Sequence, residues 1–273
     1  MKVVVVSKRT WIAILACVAL ILIGLILYLS VSNENDVTVE PTMARVDSYE
    51  LNAIPVMSRL VPVYRVERED HVLALTIDAA WNADKTKFIL DTLDRYGIKA
   101  TFFLCGVWVD AYPEMVKEIA SRGHEIGNHS LTHPHMNRIS AEEIRKELAG
   151  LDDKIEALTG KRTTLFRAPF GEYNDTVVST VRDMGYEIIQ WNIDTVDWKE
   201  GRTPETILGA VLPKLSDGSI ILSHNNGYGI ETYLPKLIEQ AQSEGYRFVT
   251  VSELLPEGER KVDNNGLCRS NAE

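Results

Sequence analysis

His129 and His133 stand four residues apart, about one helical turn, a spacing at which two imidazoles can hold one metal ion between them. Pro134 follows at once and turns His133 away from continued helix, which places the pair on a turn or at a helix end. Two loop histidines on a polar surface would look the same in isolation. The pair gains meaning from its company, because Asp78, Arg167, Asp194, Asp197-Trp198 and His224 each appear where an apolar, strand-like run ends. Each has a bland alternative. Asp78 could cap the following helix, Arg167 could sit in a surface ion pair, and His224 could be a hydrogen-bonded core histidine.

The elements that must position these groups alternate from His71 onward. Strands are expected at 72–77, 99–104, 124–126, 164–166, 186–191, 219–222 and 247–249, and the first is nearly all apolar, as for a parallel strand covered on both faces. Helices are expected over 87–96, 113–122, 140–158, 175–184, 204–215, 233–243 and 252–255. Gly97, Gly123 and Gly160 follow three of them in the usual stop position, and Ser140 with Glu143 has the spacing of a capping box. Repeated strand–helix units imply a parallel α/β sheet, and about seven or eight of them suggest a closed or nearly closed (β/α) barrel. An open doubly wound sheet is the alternative. In a parallel barrel all the polar residues above fall on the carboxyl-terminal rim, where such barrels build their active sites.

The first 67 residues are of a different kind. Lys2, Lys8 and Arg9 precede an uncharged run from Trp11 to Leu29, and Glu34, Asp36 and Glu40 follow it. That run is close to the ~20 residues that cross a bilayer. Its flanking charges put the N-terminus in the cytoplasm and the rest outside. A cleaved signal peptide ending near Ser30-Val31-Ser32 is the competing reading, and would make the protein secreted. The expected organisation is an anchor over 1–31, a linker with Pro41, Pro55 and Pro62 over 32–67, one domain over 68–256, and a loose polar tail over 257–273. A net charge of −10 argues against nucleic acid as the main partner. Cys17, Cys105 and Cys268 make no metal or disulfide spacing, and Cys105 reads as a buried small hydrophobe.

The ordered motifs Thr76-Ile77-Asp78, His129-x-x-x-His133, Arg167-Ala168-Pro169-Phe170-Gly171, Asp194-x-x-Asp197-Trp198 and Leu222-Ser223-His224 resemble those of the polysaccharide deacetylases, the NodB-homology carbohydrate esterases of family four. The resemblance runs from about residue 68 to 255 and is strongest to the sporulation and cell-wall type. It implies a deformed (β/α) barrel and metal-dependent hydrolysis of the acetamide of N-acetylated sugars in cell-wall glycan, such as the N-acetylglucosamine or N-acetylmuramic acid of peptidoglycan. By this resemblance Asp78 is the general base, His129 and His133 are ligands of a divalent ion (zinc, or cobalt), Arg167 positions the base, and His224 is the general acid tuned by Asp197. Trp198, Phe170 and Leu222 are the implied substrate-binding positions. The residue types suit the chemistry: the ion polarises an unreactive carbonyl and acidifies a water, the carboxylate takes its proton, and an imidazolium protonates the leaving amine.

One departure matters. The family's first motif ordinarily has a second aspartate as third metal ligand, and this chain has Ala79 there. Catalytic zinc sites normally use three protein ligands plus water. Asp84 is expected to cap the first helix rather than reach inward, and His135 to be a plain loop histidine. A lesser departure is Asn225 after His224. Trp81, Trp108 and Trp191 are expected to pack in the core. Two alternatives follow: a non-catalytic glycan-binding relative that has lost its ion, and a hydrolase acting on another carbohydrate amide, such as a lipid-linked formamido sugar.

Overall fold

In the computed structural model, residues 59–271 are described; the expected membrane run at 11–29, Cys17 and most of the expected linker lie outside them. Among the described residues no helix is long and apolar enough to cross a membrane.

The fold is organised around one strand. After a short β1 (Arg65–Val66), strand β2 (Val72–Ala79) is buried along its whole length. Its residues alternate sides, as a strand must. Leu73, Leu75, Ile77 and Ala79 pack in the layer that meets the helices, whereas Val72 and Ala74 belong to a second cluster with Phe103, Leu165 and Ile189. Thr76 and Asp78 continue that second face. The alternation therefore turns the Asp78 carboxyl inward and the Ala79 methyl outward, toward the helices.

Around β2 stand β3 (Thr101–Leu104), β4 (Glu125–Asn128), β5 (Leu165–Phe166), β6 (Glu187–Ile188), β7 (Ile193–Asp194) and β8 (Ile220–His224), in the order β6-β5-β4-β3-β2-β8-β7, with β9 (Arg247–Val249) also paired to β2. Every pairing in this sheet is parallel. Among the described residues its edge strands β6 and β7 share no ladder, so the sheet is curled without closing, short of the expected barrel. Helices α1 (Thr86–Arg95), α2 (Gly106–Ala111), α3 (Pro113–Ser121), α4 (Ala141–Thr159), α5 (Asp175–Asp183), α6 (Pro204–Val211), α7 (Ile230–Ser243) and α8 (Val251–Leu254) connect the strands. The Ser140 and Glu143 capping box forms as expected. Helix α2 was not expected, and α6 gives way to a 3-10 turn at Leu212–Lys214, where Pro213 removes a donor.

Two expectations about the domain's ends are corrected. The last residues of the expected linker are part of the fold: Val63 and Val66 are buried, Val63 bridges Ile189 beyond β6, and Arg65 bridges Ser219 at the start of β8. The segment thus spans the opening that the sheet leaves. The tail expected to be loose forms a hairpin, β10 (Arg260–Val262) against β11 (Leu267–Ser270), and β11 pairs with β1. Its turn is made by Asp263, which accepts from the backbone N–H of Asn265 and Leu267, and by Gly266 at φ 77°. Cys268 is buried beneath it.

Candidate active site

Strand register brings the expected site residues together. Asp78 and His224 are Cα partners across β2 and β8, and Asn128 pairs with Phe166, which makes the next residues, His129 and Arg167, neighbours. The side chain of Arg167 is wholly buried, with Phe103 on one face at 4.1 Å and Trp191 at 5.4 Å. Its Nη1 donates to Asp78 Oδ1 at 2.7 Å and to Thr76 Oγ1 at 2.8 Å, and its Nη2 donates to the Gln190 carbonyl. Burial raises the Asp78 carboxyl and is the largest single influence, but the Arg167 charge and hydrogen bond, joined by the nearby His129 and His224, together outweigh it and hold that group below the usual carboxylate range. Asp78 is therefore an ionised base at neutral pH.

His129 is almost fully buried, and its Nδ1 donates to the Arg167 carbonyl at 2.9 Å, which leaves the Nε2 lone pair free, 3.7 Å from Asp78 Oδ2. The His133 ring stands edge-on to it, centroids 5.0 Å apart. Burial lowers both imidazoles, His133 to about 4, so both are neutral and in the form that binds metals. A third donor is missing. Ala79 offers only a methyl on the helix-facing side, and Asp78 Oδ1 is committed to Arg167. Asp84 is exposed and does not cap α1, against expectation, and His135 Nδ1 is engaged by Glu172 at 2.8 Å. Among the described residues no three His, Cys, Asp or Glu side chains are grouped to hold an ion. The residues present do not fit the three-ligand metal site implied by the resemblance.

The other side of the site is complete. His224 Nδ1 donates to Asp197 Oδ1 at 2.7 Å, which leaves Nε2 to carry a second proton. Burial disfavours the charged ring, yet Asp197, aided by Asp78 and Asp194, holds its pKa above the ordinary histidine value. Asp197 is itself fully buried and also accepts from the His224 backbone N–H and the Tyr233 hydroxyl on α7. Tyr233 escapes a reading of the sequence, since it lies 36 residues away on a helix face that looks merely apolar. Gly227 is equally committed, because a Cβ there would lie 2.0 Å from Asp197 Oδ2.

The loops around this mouth are strained. Asn82, Ser130, His133, Phe170 and Val196 all have positive φ, between 50° and 67°. Such backbone is costly for a β-branched residue such as Val196, and it gathers at functional sites. Asp194 offsets part of that cost by accepting the Val196 N–H at 2.7 Å, so it shapes the loop that presents Asp197. Trp198 and Phe170 stand exposed at the rim, but Leu222 is 3 % exposed, a wall residue with little to offer a ligand. Trp108 is buried and Trp191 covers Arg167, whereas Trp81, expected in the core, is 57 % exposed. The chain follows a model of the family "Polysaccharide deacetylase" over residues 65–189. It is also 36 % identical over 187 residues to a peptidoglycan-N-acetylglucosamine deacetylase of Bacillus cereus, covering 67 % of this chain and 68 % of that one.

The chain belongs to the polysaccharide deacetylase family. A second relative within it is the Bacillus subtilis peptidoglycan-N-acetylmuramic acid deacetylase PdaC, 37 % identical over 69 % of this chain and only 40 % of that longer protein. Among solved structures, the Bacillus anthracis protein BA3943, described as a CE4 family pseudoenzyme, is similar at TM-score 0.69 and 36 % identity, covering 72 % of this chain and 69 % of that one. The Bc1960 peptidoglycan N-acetylglucosamine deacetylase is similar at TM-score 0.68 and 34 % identity, covering 70 % and 91 %. The family thus holds both active deacetylases and a relative without activity, and similarity of this degree does not separate them.

Proposed function

We propose that this protein recognises the N-acetylated glycan of the bacterial cell wall at this mouth and that its deacetylation step is dormant. One observation carries the reading: the acid and base pairs are assembled, while the metal set has shrunk to two imidazoles and the Ala79 side chain points into the helix-facing layer. Without a Lewis acid an acetamide carbonyl stays unactivated, and an acid and a base alone leave its hydrolysis slow. What remains is a cluster of hydrogen-bonding groups, the Asp78 carboxylate, the His224 ring and two neutral imidazoles, able to hold an acetamido group. The similarity to BA3943 agrees with this reading.

The test is elemental analysis of purified protein, joined to binding on insoluble peptidoglycan and to acetate release from peptidoglycan and chitooligosaccharides, with and without zinc or cobalt. Binding without acetate release, at well under one metal per chain, is the expected result. The second reading, an active deacetylase with water in place of the third ligand, is favoured by the intact Asp78–Arg167 and His224–Asp197 pairs. Stoichiometric metal with acetate release, both abolished by His129→Ala, would establish it instead. The apolar run at 11–29 with its basic flank supports a membrane-anchored domain facing the wall, which fractionation and protease accessibility of whole cells will test.

A further inference from the structure

His124 stands at the amino end of β4, at the opposite end of the sheet from Asp78 and His224. Its ring packs on Phe102 and is only 6 % exposed. The Ala100 backbone N–H donates to its Nδ1 at 3.3 Å, so the neutral ring carries its proton on Nε2 and turns it away from β3. That Nε2–H is buried and meets no acceptor among the described residues. Buried donors in native proteins are nearly always met, and an orphan of this kind calls for a partner. A cavity of about 510 Å³ lies against this ring, with Ala120, Ile126, Ile155 and Leu158 on its apolar side and Lys161 among its polar residues. That is room for a small organic molecule.

Which molecule follows from the groups already engaged. The Ser121 and Thr159 hydroxyls donate to the Glu118 and Ile155 carbonyls, and the Thr163 hydroxyl donates to Asp152. Arg162 is held by Asp153 at 2.6 Å and Glu156 at 2.9 Å, and Lys117 by Glu114 at 2.7 Å. Glu125, the carboxylate in the lining, accepts from the Thr101 hydroxyl and the Ser252 backbone N–H. Two donors stay open among the described residues, the His124 Nε2–H and the Lys161 ammonium.

We propose that this cavity is a second ligand site, separate from the glycan mouth, for a small organic acid. Its carboxylate accepts from His124 Nε2–H and from the Lys161 ammonium, and its short apolar body lies along Ile126, Ile155 and Leu158. Open donors without open acceptors select an acid over an amine. A bare inorganic anion would leave the apolar side uncovered, and a neutral alcohol would leave the lysine charge unmet.

The experiment is a titration of Pro55–Glu273, a compact unit of its own, with sodium hexanoate, 1-hexanol and inorganic phosphate, read by calorimetry and by the His124 ring resonances at pH 7. Hexanoate is expected to move those resonances and to bind about tenfold more tightly than either of the others, the scale of one charge-assisted hydrogen bond. His124→Phe keeps a ring and drops the donor, and Lys161→Ala removes an exposed charge. Each should weaken hexanoate about tenfold and leave hexanol within about twofold. Melting temperature will show whether His124→Phe keeps the fold, and Lys161→Ala decides the matter where it does not. Hexanol bound as tightly as hexanoate, a preference for phosphate, or hexanoate binding untouched by Lys161→Ala overturns the proposal. No binding of hexanoate overturns it too, and assigns the His124 proton to a trapped water. None of these outcomes bears on the glycan reading.

Discussion

Arg167 Nη1 meets Asp78 Oδ1 at 2.7 Å, with the guanidinium wholly buried and the carboxylate nearly so. A pair of this kind gives little net stability, because desolvation cancels most of the attraction, but removing one partner strands the other charge. Arg167→Met should therefore lower the unfolding free energy by about 3–5 kcal/mol, the range for breaking a buried pair. Chemical denaturation will measure it. A loss below about 1 kcal/mol would mean that water reaches Asp78 and that its ionised state does not depend on Arg167.

Ala79→Asp puts a carboxylate where the structure has a fully buried methyl. Unpaired, that charge is costly, so the metal-free variant should unfold more readily than wild type. An ion shared with His129 and His133 would give the carboxylate a partner only by turning it from the helix-facing layer toward the mouth, so this variant also tests that orientation. Zinc at about 100 times its dissociation constant should then restore about 2.7 kcal/mol, and acetate release should appear with it. The readouts are metal content, melting temperature with and without zinc, and acetate. A variant whose stability ignores zinc would show that the missing ligand belongs elsewhere.

His224 owes its raised pKa to Asp197. A histidine raised in this way adds stability that is fully present below its ordinary pKa and is lost as pH rises through the folded value. Asp197→Asn removes the charge and keeps the shape. The His224 ring should then titrate at lower pH, followed by its carbon-bound proton resonances, and the stability gained below that pH should shrink. An unmoved titration would assign the raised value to Asp78 and Asp194 instead.

His124 works in the opposite sense. It is buried against Phe102, its Nδ1 accepts the Ala100 N–H, and burial pushes its pKa down to about 4. The unfolded chain binds a proton there near pH 6.5, the folded chain only near 4, so stability falls as pH drops through that window. The urea midpoint should decline between pH 6.5 and 4, and His124→Gln should flatten the decline. An identical slope in the variant would assign the loss to other groups.

The polar half of the site was legible in sequence because a parallel sheet brings the carboxyl end of each strand to one rim, and Asp78 and His224 end, and His129 and Arg167 directly follow, strands of that sheet. The helix stops were legible too, since glycine and a capping box act locally. What escaped was non-local. The Tyr233 hydroxyl on Asp197, Glu172 on His135 and the exposed aromatics at the rim depend on loop paths that no periodicity encodes. The terminal hairpin did carry a signal, the Asp263-Asn264-Asn265-Gly266 turn between short alternating runs, but its polar composition hid it. Trp81 was misplaced because an aromatic next to a strand end usually packs inward, whereas here the chain turns left-handed at Asn82 and leaves it outside.

The short stretch around Val63 and Val66, lying across the unclosed side of the sheet and gripping the final hairpin through β1, ties together two seams that are distant in sequence. A recombinant fragment trimmed to 68–256, where composition alone would cut, would expose the apolar edge beside Ile189 and remove Val63, Val66 and Cys268 from the cluster that holds Val72, Leu165 and Leu254. Work on the isolated domain should begin no later than Arg59 and keep the chain through Asn271.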